Sequence, residues 1–317
     1  MYSMHKYTIK DICVIIPTKD RPQYITNLLE SITKFNREIG RVIIIASGED
    51  IKNVISQFKN KLPIEYIHTK ESGQIHQRNL GIAMLNDDTK LTACIDDDIE
   101  FCEGSFSAMI KLWNDVPVET AGISFNIIDN TSSESKLNFK INNLIKIKPG
   151  KVFVTGGTTS INNVAETVST QWLCGGATVW RQSLLLQYPH KEVKTKWAIG
   201  EDLIFSYPIG KKYPMYVCAK AKVTHNHHPY ATNDRDWHYM YGRTQTLWIY
   251  YFVSQNKELS RLLFMLYLFT RLIVKLFFGL VKRNNNNIYF VKGSLAAVKL
   301  ITKFAVLSRE RVDVRMC

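Results

Sequence analysis

Short apolar runs rich in β-branched residues alternate with amphipathic segments along the first 128 residues of the chain. The short runs predict buried strands, and apolar residues three and four positions apart between them predict helices. The predicted strands cover residues 12–16, 42–46, 64–68 and 91–95, and the predicted helices cover residues 22–35, 50–59, 74–85 and 104–113. Pro17 is expected to end the first strand. Repeated strand–helix units predict an α/β fold with a mostly parallel central sheet and helices on both of its faces.

The pattern changes after residue 128. Residues 129–170 are rich in Asn, Ser, Thr and Gly, which predicts a long irregular loop or a small excursion from the fold. Residues 171–230 again have the sequence patterns of strands and helices. Three helical patterns follow, at residues 236–255, 259–281 and 288–307. We therefore predict a domain over residues 1–256 and a tail of amphipathic helices over residues 257–317.

The composition indicates a folded protein with an uneven distribution of positive charge. With 45% hydrophobic and 22% charged residues, the 317 residues can bury a sizeable core. The formal net charge is +13, and residues 257–317 contribute 12 Lys and Arg against 3 Asp and Glu. A basic tail indicates an anionic partner, such as lipid headgroups, nucleic acid or an anionic substrate.

The cysteines and the first residues indicate the cellular compartment. The six cysteines form no C-x-x-C pair, which is typical of reduced thiols in the cytosol and argues against a disulfide framework or a zinc ribbon. The beginning MYSMHKYTIKD has no apolar segment of the kind that secretory signals contain. We therefore expect a cytoplasmic protein.

Three adjacent carboxylates, Asp96, Asp97 and Asp98, directly follow the predicted strand LTACI. Their mutual repulsion destabilises a fold unless a cation neutralises them. In extended backbone Asp96 and Asp98 would point to the same side, where two oxygen ligands suit a hard cation such as Mg2+ or Mn2+. A solvated acidic turn is the alternative interpretation. The triplet lies at the carboxyl end of a strand, where α/β sheets bind ligands. A functional site is therefore as good an interpretation as an acidic turn.

A second carboxylate motif, Gly200-Glu201-Asp202, precedes the apolar stretch LIFSYPI. A carboxylate in the first turn of a helix is stabilised by the helix dipole, so helix capping is one interpretation. The other is a general base that takes a proton from an acceptor hydroxyl.

Weaker signals occur at four other positions. Gly175 and Gly176 allow the backbone to approach a ligand closely, although a tight turn explains them as well. His225 follows a strand-like run and could join a carboxylate and phosphates on Mn2+. Arg78, near the start of the third predicted helix, could pair with a phosphate or a carboxylate.

The order of the motifs is more informative than any one of them. From residue 12 onward they are CVIIPTKDRP, VIIIASGED, GQIHQRNLGI, IDDDIEF, CGGATVWR, GEDLIFS and VTHNH. In this order and spacing the chain resembles the inverting family 2 glycosyltransferases of the GT-A fold, of the type that builds bacterial surface polysaccharides. The resemblance implies an enzyme that transfers a sugar from a nucleoside-diphosphate sugar to an acceptor hydroxyl, with Mg2+ or Mn2+ as cofactor.

The resemblance also implies a role for each matching residue. It places the donor nucleotide and its phosphates at Pro17, Thr18, Arg21, Arg78, Asp96 and Asp97. It makes Asp98 and His225 the candidate metal ligands and Asp202 the general base. It places the acceptor at Trp172, Gly175, Gly176 and Glu201.

The implied reaction is a single inverting displacement. Asp202 would deprotonate the acceptor hydroxyl, and a metal on Asp98 would stabilise the departing nucleoside diphosphate. One position departs from the family pattern. The second strand usually ends in an Asp that contacts the base, and here Ala46 or Ser47 stands in its place. The choice among UDP, dTDP and GDP donors is therefore open.

The tail carries narrow basic stripes beside wide apolar faces. The stripes consist of Arg261, Arg271, Lys275 and Lys282 in the first helix and Lys292, Lys299 and Lys303 in the second. This pattern predicts helices that lie on an anionic membrane, since no uncharged run reaches the roughly 20 residues of a spanning helix. We therefore expect a peripheral protein on the inner face of the cell membrane, with a lipid-linked or polysaccharide acceptor. Alternatively, the helices pack on the domain or form a homodimer.

Other function classes fit the sequence less well. A non-catalytic nucleotide-sugar-binding or membrane-binding module on the same fold has no need of both carboxylate motifs. A hydrolase with Asp98 and Asp202 as paired carboxylates would release free sugar without an acceptor. Nucleic-acid binding is favoured by the net charge alone, and the basic stripes lack interleaved aromatic residues, so no nucleic acid is expected. No P-loop or Rossmann glycine motif is present.

Overall fold

The computed structural model describes residues 6–35, 38–128, 147–192, 199–226, 234–281 and 285–307. Residues 129–146 of the predicted irregular loop and Lys282 of the predicted basic stripe lie outside the described residues. The chain divides into two compact units. The first comprises the described residues of Met1–Lys151, Thr159–Glu192 and Phe205–His227, and the second those of Val152–Thr158, Val193–Ile204 and His228–Cys317. The division at residue 256 stays a prediction.

Strands and helices alternate in the first part of the chain, as the apolar pattern predicts. The strands are β1 (Ile12–Lys19), β2 (Arg41–Ser47), β3 (Ile64–Thr69), β4 (Leu91–Ile95), β5 (Ile99–Phe101), β6 (Gly122–Ile128), β7 (Val168–Ser169), β8 (Ala177–Arg181) and β9 (Met215–His225). The helices are α1 (Pro22–Phe35), α2 (Lys52–Ser56), α3 (Gln74–Ala83), α4 (Ser105–Asp115), α5 (Gln182–Gln187), α6 (Glu201–Gly210), α7 (Arg235–Gln255), α8 (Arg261–Val281) and α9 (Asn285–Leu307).

The described strands form one sheet in the order β3–β2–β1–β4–β8–β6–β9–β5, and β7 pairs with β9. Strands β3, β2, β1 and β4 run parallel, as do β6 and β9. Strand β8 is antiparallel to both β4 and β6, and β5 and β7 are antiparallel to β9. Because β1, β2 and β4 are parallel, the loops that follow them lie at the same edge of the sheet.

Both faces of the sheet are covered, as the side chains of β1 illustrate. Ile12, Val14 and Ile16 belong to a core cluster that includes side chains of α1 and α4. Cys13 and Ile15 point to the other face and belong to a cluster that includes side chains of α3 and α5. The predicted α/β fold with helices on both faces of the sheet is confirmed.

Pro17 does not end β1, contrary to the expectation from the sequence. The strand continues to Lys19, and Pro17 is paired in register with Ile45 of β2. Pairing of β1 with β4 covers Ile12–Ile15 only. At Pro17 the strand therefore has a partner on one side alone, which is the situation in which a strand tolerates the missing N–H of proline.

In the second unit, α7 and α9 pack with their backbones in close contact. A Cβ added at Gly242 would lie 2.3 Å from the carbonyl oxygen of Phe290, and one at Gly293 would lie 1.9 Å from that of Tyr239. The hydroxyl of Ser294 donates to the carbonyl oxygen of Gly242 at 3.2 Å. The two helices approach this closely only because glycine occupies both positions.

Candidate functional site

Asp96, Asp97 and Asp98 form the turn between β4 and β5. The backbone N–H of Ile99 donates to the carbonyl oxygen of Asp96 at 3.2 Å and closes the turn. The expectation of extended backbone with Asp96 and Asp98 on the same side is wrong, because the chain turns between these two short strands. The three carboxylates consequently reach different partners.

Asp96 is held by α3 and by the segment before β8. Its Oδ1 accepts hydrogen bonds from Gln74 Nε2 at 2.7 Å and from Arg78 Nη2 at 3.1 Å. The Arg78 side chain is 0% exposed, so it neutralises Asp96 from the protein interior. The backbone N–H of Asp96 donates to the carbonyl oxygen of Gly176 at 2.8 Å. In this structure Arg78 positions Asp96, and its contact with donor phosphates stays a prediction.

Gly176 leaves room for the Asp96 carboxylate. A Cβ at this position would lie 1.9 Å from Oδ2 and 2.1 Å from Cγ of Asp96. We expect Gly176→Ala to displace Asp96 and to weaken the binding of a nucleoside diphosphate about tenfold or more, because such overpacking costs about 1–3 kcal/mol. Isothermal titration calorimetry measures the change. The matched control is Gly157→Ala, whose Cβ would have no neighbour closer than 3.5 Å. Equal affinities of the two variants would contradict the prediction.

Asp97 pairs with the residues at the end of β1. Its Oδ2 accepts a hydrogen bond from Thr18 Oγ1 at 2.6 Å, and its Oδ1 lies 3.1 Å from Arg21 Nη1. Burial raises the pKa of Asp97 to about 6, against the opposing effects of the Thr18 hydroxyl and the Arg21 guanidinium. Thr18 and Arg21, which the sequence predicts at the donor nucleotide, are thereby joined to the acidic turn.

Asp98 lies between Arg21 and His225. Its Oδ2 is 3.3 Å from Arg21 Nη1, and its Oδ1 is 3.1 Å from His225 Nε2. Burial acts to raise the pKa of Asp98, but the neighbouring His225 and Arg21 outweigh burial and leave the pKa below its ordinary value. The backbone N–H of Asn226 donates to the carbonyl oxygen of Asp98 at 2.8 Å, which fixes the end of β9 beside the turn. Asp98 is therefore ionised at neutral pH.

The donor atoms of Asp98 and His225 suit a divalent cation. Asp98 Oδ1 is buried and lies 3.1 Å from His225 Nε2, so a carboxylate oxygen and an imidazole nitrogen lie close together at the turn. A carboxylate and a neutral imidazole are ligands of Mn2+, and Mg2+ commonly binds one or two carboxylates together with substrate phosphates. The described residues contain no group of three or more His, Cys, Asp or Glu that could hold a metal by itself. A cation at this pair would therefore need ligands from a substrate or from water.

The end of β2 lacks the acid that the resembling family usually has there. Ala46 and Ser47 are both buried. Asp20, which follows β1, accepts a hydrogen bond from the backbone N–H of Glu49 at 2.7 Å. Gly48 has a φ of +78°, and a Cβ there would lie 2.0 Å from Asp20 Oδ1. Asp20 thus orders the loop after β2. Because Ala46 and Ser47 have no carboxylate, the end of β2 lacks the acidic contact to the base that is usual in the family.

Gln74 and Gln77 take part in the site although sequence reasoning did not select them. Gln77 Nε2 donates to the carbonyl oxygens of Thr18 and Ile45, both at 2.7 Å, and so ties the end of β1 to β2. Gln74 holds Asp96, as described above. The two glutamines lie three residues apart in the motif GQIHQRN and therefore on one face of α3, which is the signal that could have found them.

The other site residues that the sequence predicts are Pro17, Trp172, Gly175, Glu201 and Asp202. Pro17 is buried within β1. Trp172 and Gly175 lie in the segment before β8, and the indole Nε1 of Trp172 is buried without a hydrogen-bond partner among the described residues. Glu201 and Asp202 are the first two residues of α6 and belong to the second unit, with Glu201 buried and Asp202 partly exposed. The predicted residues that the structure brings together are Thr18, Arg21, Arg78, Asp96, Asp97, Asp98, Gly176 and His225.

Two known structures have a similar fold. S. aureus TarS 1-349 in complex with UDP aligns with a TM-score of 0.50 and 15% sequence identity over 79% of this chain and 67% of that chain. The mannosyltransferase PcManGT from Pyrobaculum calidifontis, in complex with GDP-Man and Mn2+, aligns with a TM-score of 0.54 and 12% identity over 95% of this chain and 81% of that chain. At these identities the alignments are evidence for the fold alone.

The sequence also resembles known glycosyltransferases. Over 131 residues the chain is 30% identical to an uncharacterized glycosyltransferase of Rickettsia bellii (strain RML369-C). This match covers 40% of the chain and 19% of that relative, so it extends over about a fifth of the relative's length. Residues 13–185, more than half of the chain, match the family model described as glycosyl transferase family 2. The family and the GT-A-like fold that the sequence resemblance predicts are therefore confirmed, and the chain belongs to glycosyl transferase family 2.

Proposed function

We propose that the chain transfers a sugar from a nucleoside-diphosphate sugar to an acceptor hydroxyl, with inversion at the anomeric carbon. One observation carries the proposal, namely the convergence of polar and charged side chains on the acidic turn after β4. These side chains are Thr18, Arg21, Arg78 and His225. The turn lies at the carboxyl end of a parallel strand, where α/β sheets bind their ligands. Membership of a glycosyltransferase family supports the reaction type.

The proposed donor binds together with a divalent cation. The similar structures of TarS and PcManGT hold UDP and GDP-Man with Mn2+, respectively, which supports this ligand class. In this chain Asp98 and His225 would hold Mg2+ or Mn2+, and diphosphate oxygens would complete the coordination. The cation would neutralise negative charge on the departing diphosphate. Asp96 and Asp97 would contact the nucleoside part of the donor.

Asp202 is the proposed general base, with Glu201 beside it at the acceptor. Asp202 is partly exposed in the first turn of α6. The positive end of a helix dipole favours the ionised form of a carboxylate there, and this is the form that accepts a proton from a hydroxyl. Trp172 and Gly175 are proposed as further acceptor contacts.

The proposed acceptor belongs to cell-surface glycan synthesis, as either a lipid-linked saccharide or a polysaccharide. The proposed location is the cytoplasmic face of the cell membrane. The excess of 12 Lys and Arg over 3 Asp and Glu in residues 257–317 supports an anionic membrane as a partner. A homodimer formed through the tail is the alternative, and nucleic acid is not an expected partner.

A thermal-shift screen tests the proposed donor. UDP, dTDP and GDP are each added with and without Mn2+, and the melting temperature of the full chain is measured. We expect one diphosphate to raise the Tm by about 5 °C at roughly a hundredfold excess over its Kd, and only with Mn2+ present. If no nucleoside diphosphate changes the Tm in either condition, the proposed function is wrong. If one binds but no sugar reaches any acceptor, the chain is better described as a non-catalytic module.

A further inference from the structure

Helix α8 presents a long apolar face to the outside. Twelve of the sixteen exposed large apolar side chains among the described residues belong to this helix, and they are between 39% and 70% exposed. We call this surface the outer face of α8, marked by Leu262, Leu266, Phe269, Ile273, Phe277 and Leu280. A contiguous exposed apolar patch of this kind commonly marks an interaction surface.

The charged residues in the middle of α8 do not belong to the outer face. The guanidinium carbon of Arg271 lies 5.2 Å from the centre of the Phe290 ring, and Lys275 Nζ lies 4.7 Å from it. Phe290 belongs to α9, so both cations turn toward the protein and form cation–π contacts there. Arg271 and Lys275 of the predicted basic stripe therefore contact the Phe290 ring, and the position of this stripe at a membrane stays a prediction.

The same two cations indicate how α8 would meet a membrane. In the described part of the chain, α8 is the one helix that is long and apolar enough to span a bilayer by length and composition. Spanning would place Arg271, Lys275 and the α9 residues next to Phe290 near the bilayer centre, where a charge is costly. A helix that lies in the plane of the interface buries its outer face in lipid and keeps these cations on the protein side.

Helix α9, which contacts α8 at Phe290, adds positive charge to the same unit. Lys292, Lys299 and Lys303 are exposed. Lys292 and Lys299 are seven residues apart, and Lys299 and Lys303 are four residues apart. The three lysines therefore share one face of the helix. Long lysine side chains extend from an apolar surface to reach lipid phosphates. Their charge complements an anionic headgroup layer and does not complement a second copy of this basic unit.

From these observations we propose that the outer face of α8 inserts in the plane of a lipid bilayer, with apolar contact supplying most of the affinity and the α9 lysines adding an attraction to anionic headgroups. Charge alone would give binding that needs anionic lipid and disappears at high salt. Apolar insertion gives binding to neutral lipid that persists at high salt. The inference deepens the membrane partner named in the proposed function, because it identifies the surface that binds. It can be tested apart from the transfer reaction, because membrane binding requires neither a donor nor an acceptor.

Vesicle flotation of the full chain tests the proposal. The vesicles are made of neutral phosphatidylcholine or of a mixture with anionic phosphatidylglycerol, at low and at high salt. We expect binding to neutral vesicles at both salt concentrations and tighter binding to anionic vesicles at low salt. Phe269→Asp and Phe277→Asp should each lower the partition coefficient on neutral vesicles about tenfold or more, because each removes one inserted aromatic side chain.

Two sets of control variants separate lipid insertion from binding by charge alone and from dimerisation. Leu186→Asp changes an exposed leucine of the first unit, and it should leave partition unchanged. Replacing Lys292, Lys299 and Lys303 with Gln should lower binding to anionic vesicles alone. The proposal is overturned if the parent chain binds only anionic vesicles and is released by salt. It is also overturned if sedimentation shows a dimer that Phe269→Asp dissociates while no vesicle binding occurs.

Discussion

Asp98→Asn is expected to lower kcat/KM for sugar transfer about 1,000-fold or more while the fold is retained. The substitution keeps the size of the side chain and removes its charge. In the parent chain Asp98 is ionised, because His225 and Arg21 hold its pKa below the ordinary value despite burial. A neutral amide can no longer hold a divalent cation against the diphosphate, and the loss of several kcal/mol of charge stabilisation corresponds to a rate loss of about this size.

Nucleotide binding provides a second measurement on the same variant. Mn2+ should tighten the binding of the nucleoside diphosphate to the parent chain and should have no such effect on Asp98→Asn. The matched control is Asp115→Asn, which changes an exposed carboxylate that pairs with Lys111 at 2.8 Å on the surface of α4. If Asp98→Asn kept the effect of Mn2+ on nucleotide affinity, Asp98 would not be a metal ligand.

The strand–helix order was predictable because it depends on local sequence. Apolar β-branched runs such as VIIIA form strands wherever both faces of a sheet are covered, and β2 is buried in this way. The antiparallel strand β8 between β4 and β6 was not predictable, since its pairing joins residues about 85 positions apart in sequence, as Ala93 and Val179 are. Nor did the sequence reveal that β1 loses its neighbour β4 beyond Ile15, which is why Pro17 could be misinterpreted as a strand end.

The candidate site was partly predictable for a geometric reason. Thr18 lies near the end of β1 and Asp97 directly follows β4, and these two strands are parallel neighbours, so the two side chains meet at one edge of the sheet. The role of Arg78 was harder to infer, because a sequence does not tell whether an arginine at a helix start faces solvent or the interior. Its full burial against Asp96 follows from the packing of α3 on the sheet. The same limit applies to Arg271, which a helical projection places on a basic stripe but which the structure places over Phe290.

Asp202→Asn is expected to lower kcat by about 100- to 10,000-fold and to leave donor affinity unchanged. This is the usual range for the loss of a general base. An asparagine can still accept a hydrogen bond from the acceptor hydroxyl, but it cannot take up the proton. Steady-state kinetics with saturating donor measure kcat, and calorimetry with the nucleoside diphosphate measures the affinity. A selective loss of kcat would locate the defect in the chemical step.

Helix capping is the competing role for Asp202, and it predicts a different result. A carboxylate that only stabilises the first turn of α6 contributes about 0.3–1 kcal/mol to stability and nothing to turnover. Asp236→Asn is the matched control, since Asp236 occupies the first turn of α7 and has no proposed catalytic role. Both variants should lose a similar small amount of stability in chemical denaturation, whereas Asp202→Asn alone should lose kcat. Near-full turnover of Asp202→Asn would reduce Asp202 to a helix-stabilising residue, and the general base would then have to be another group at the acceptor.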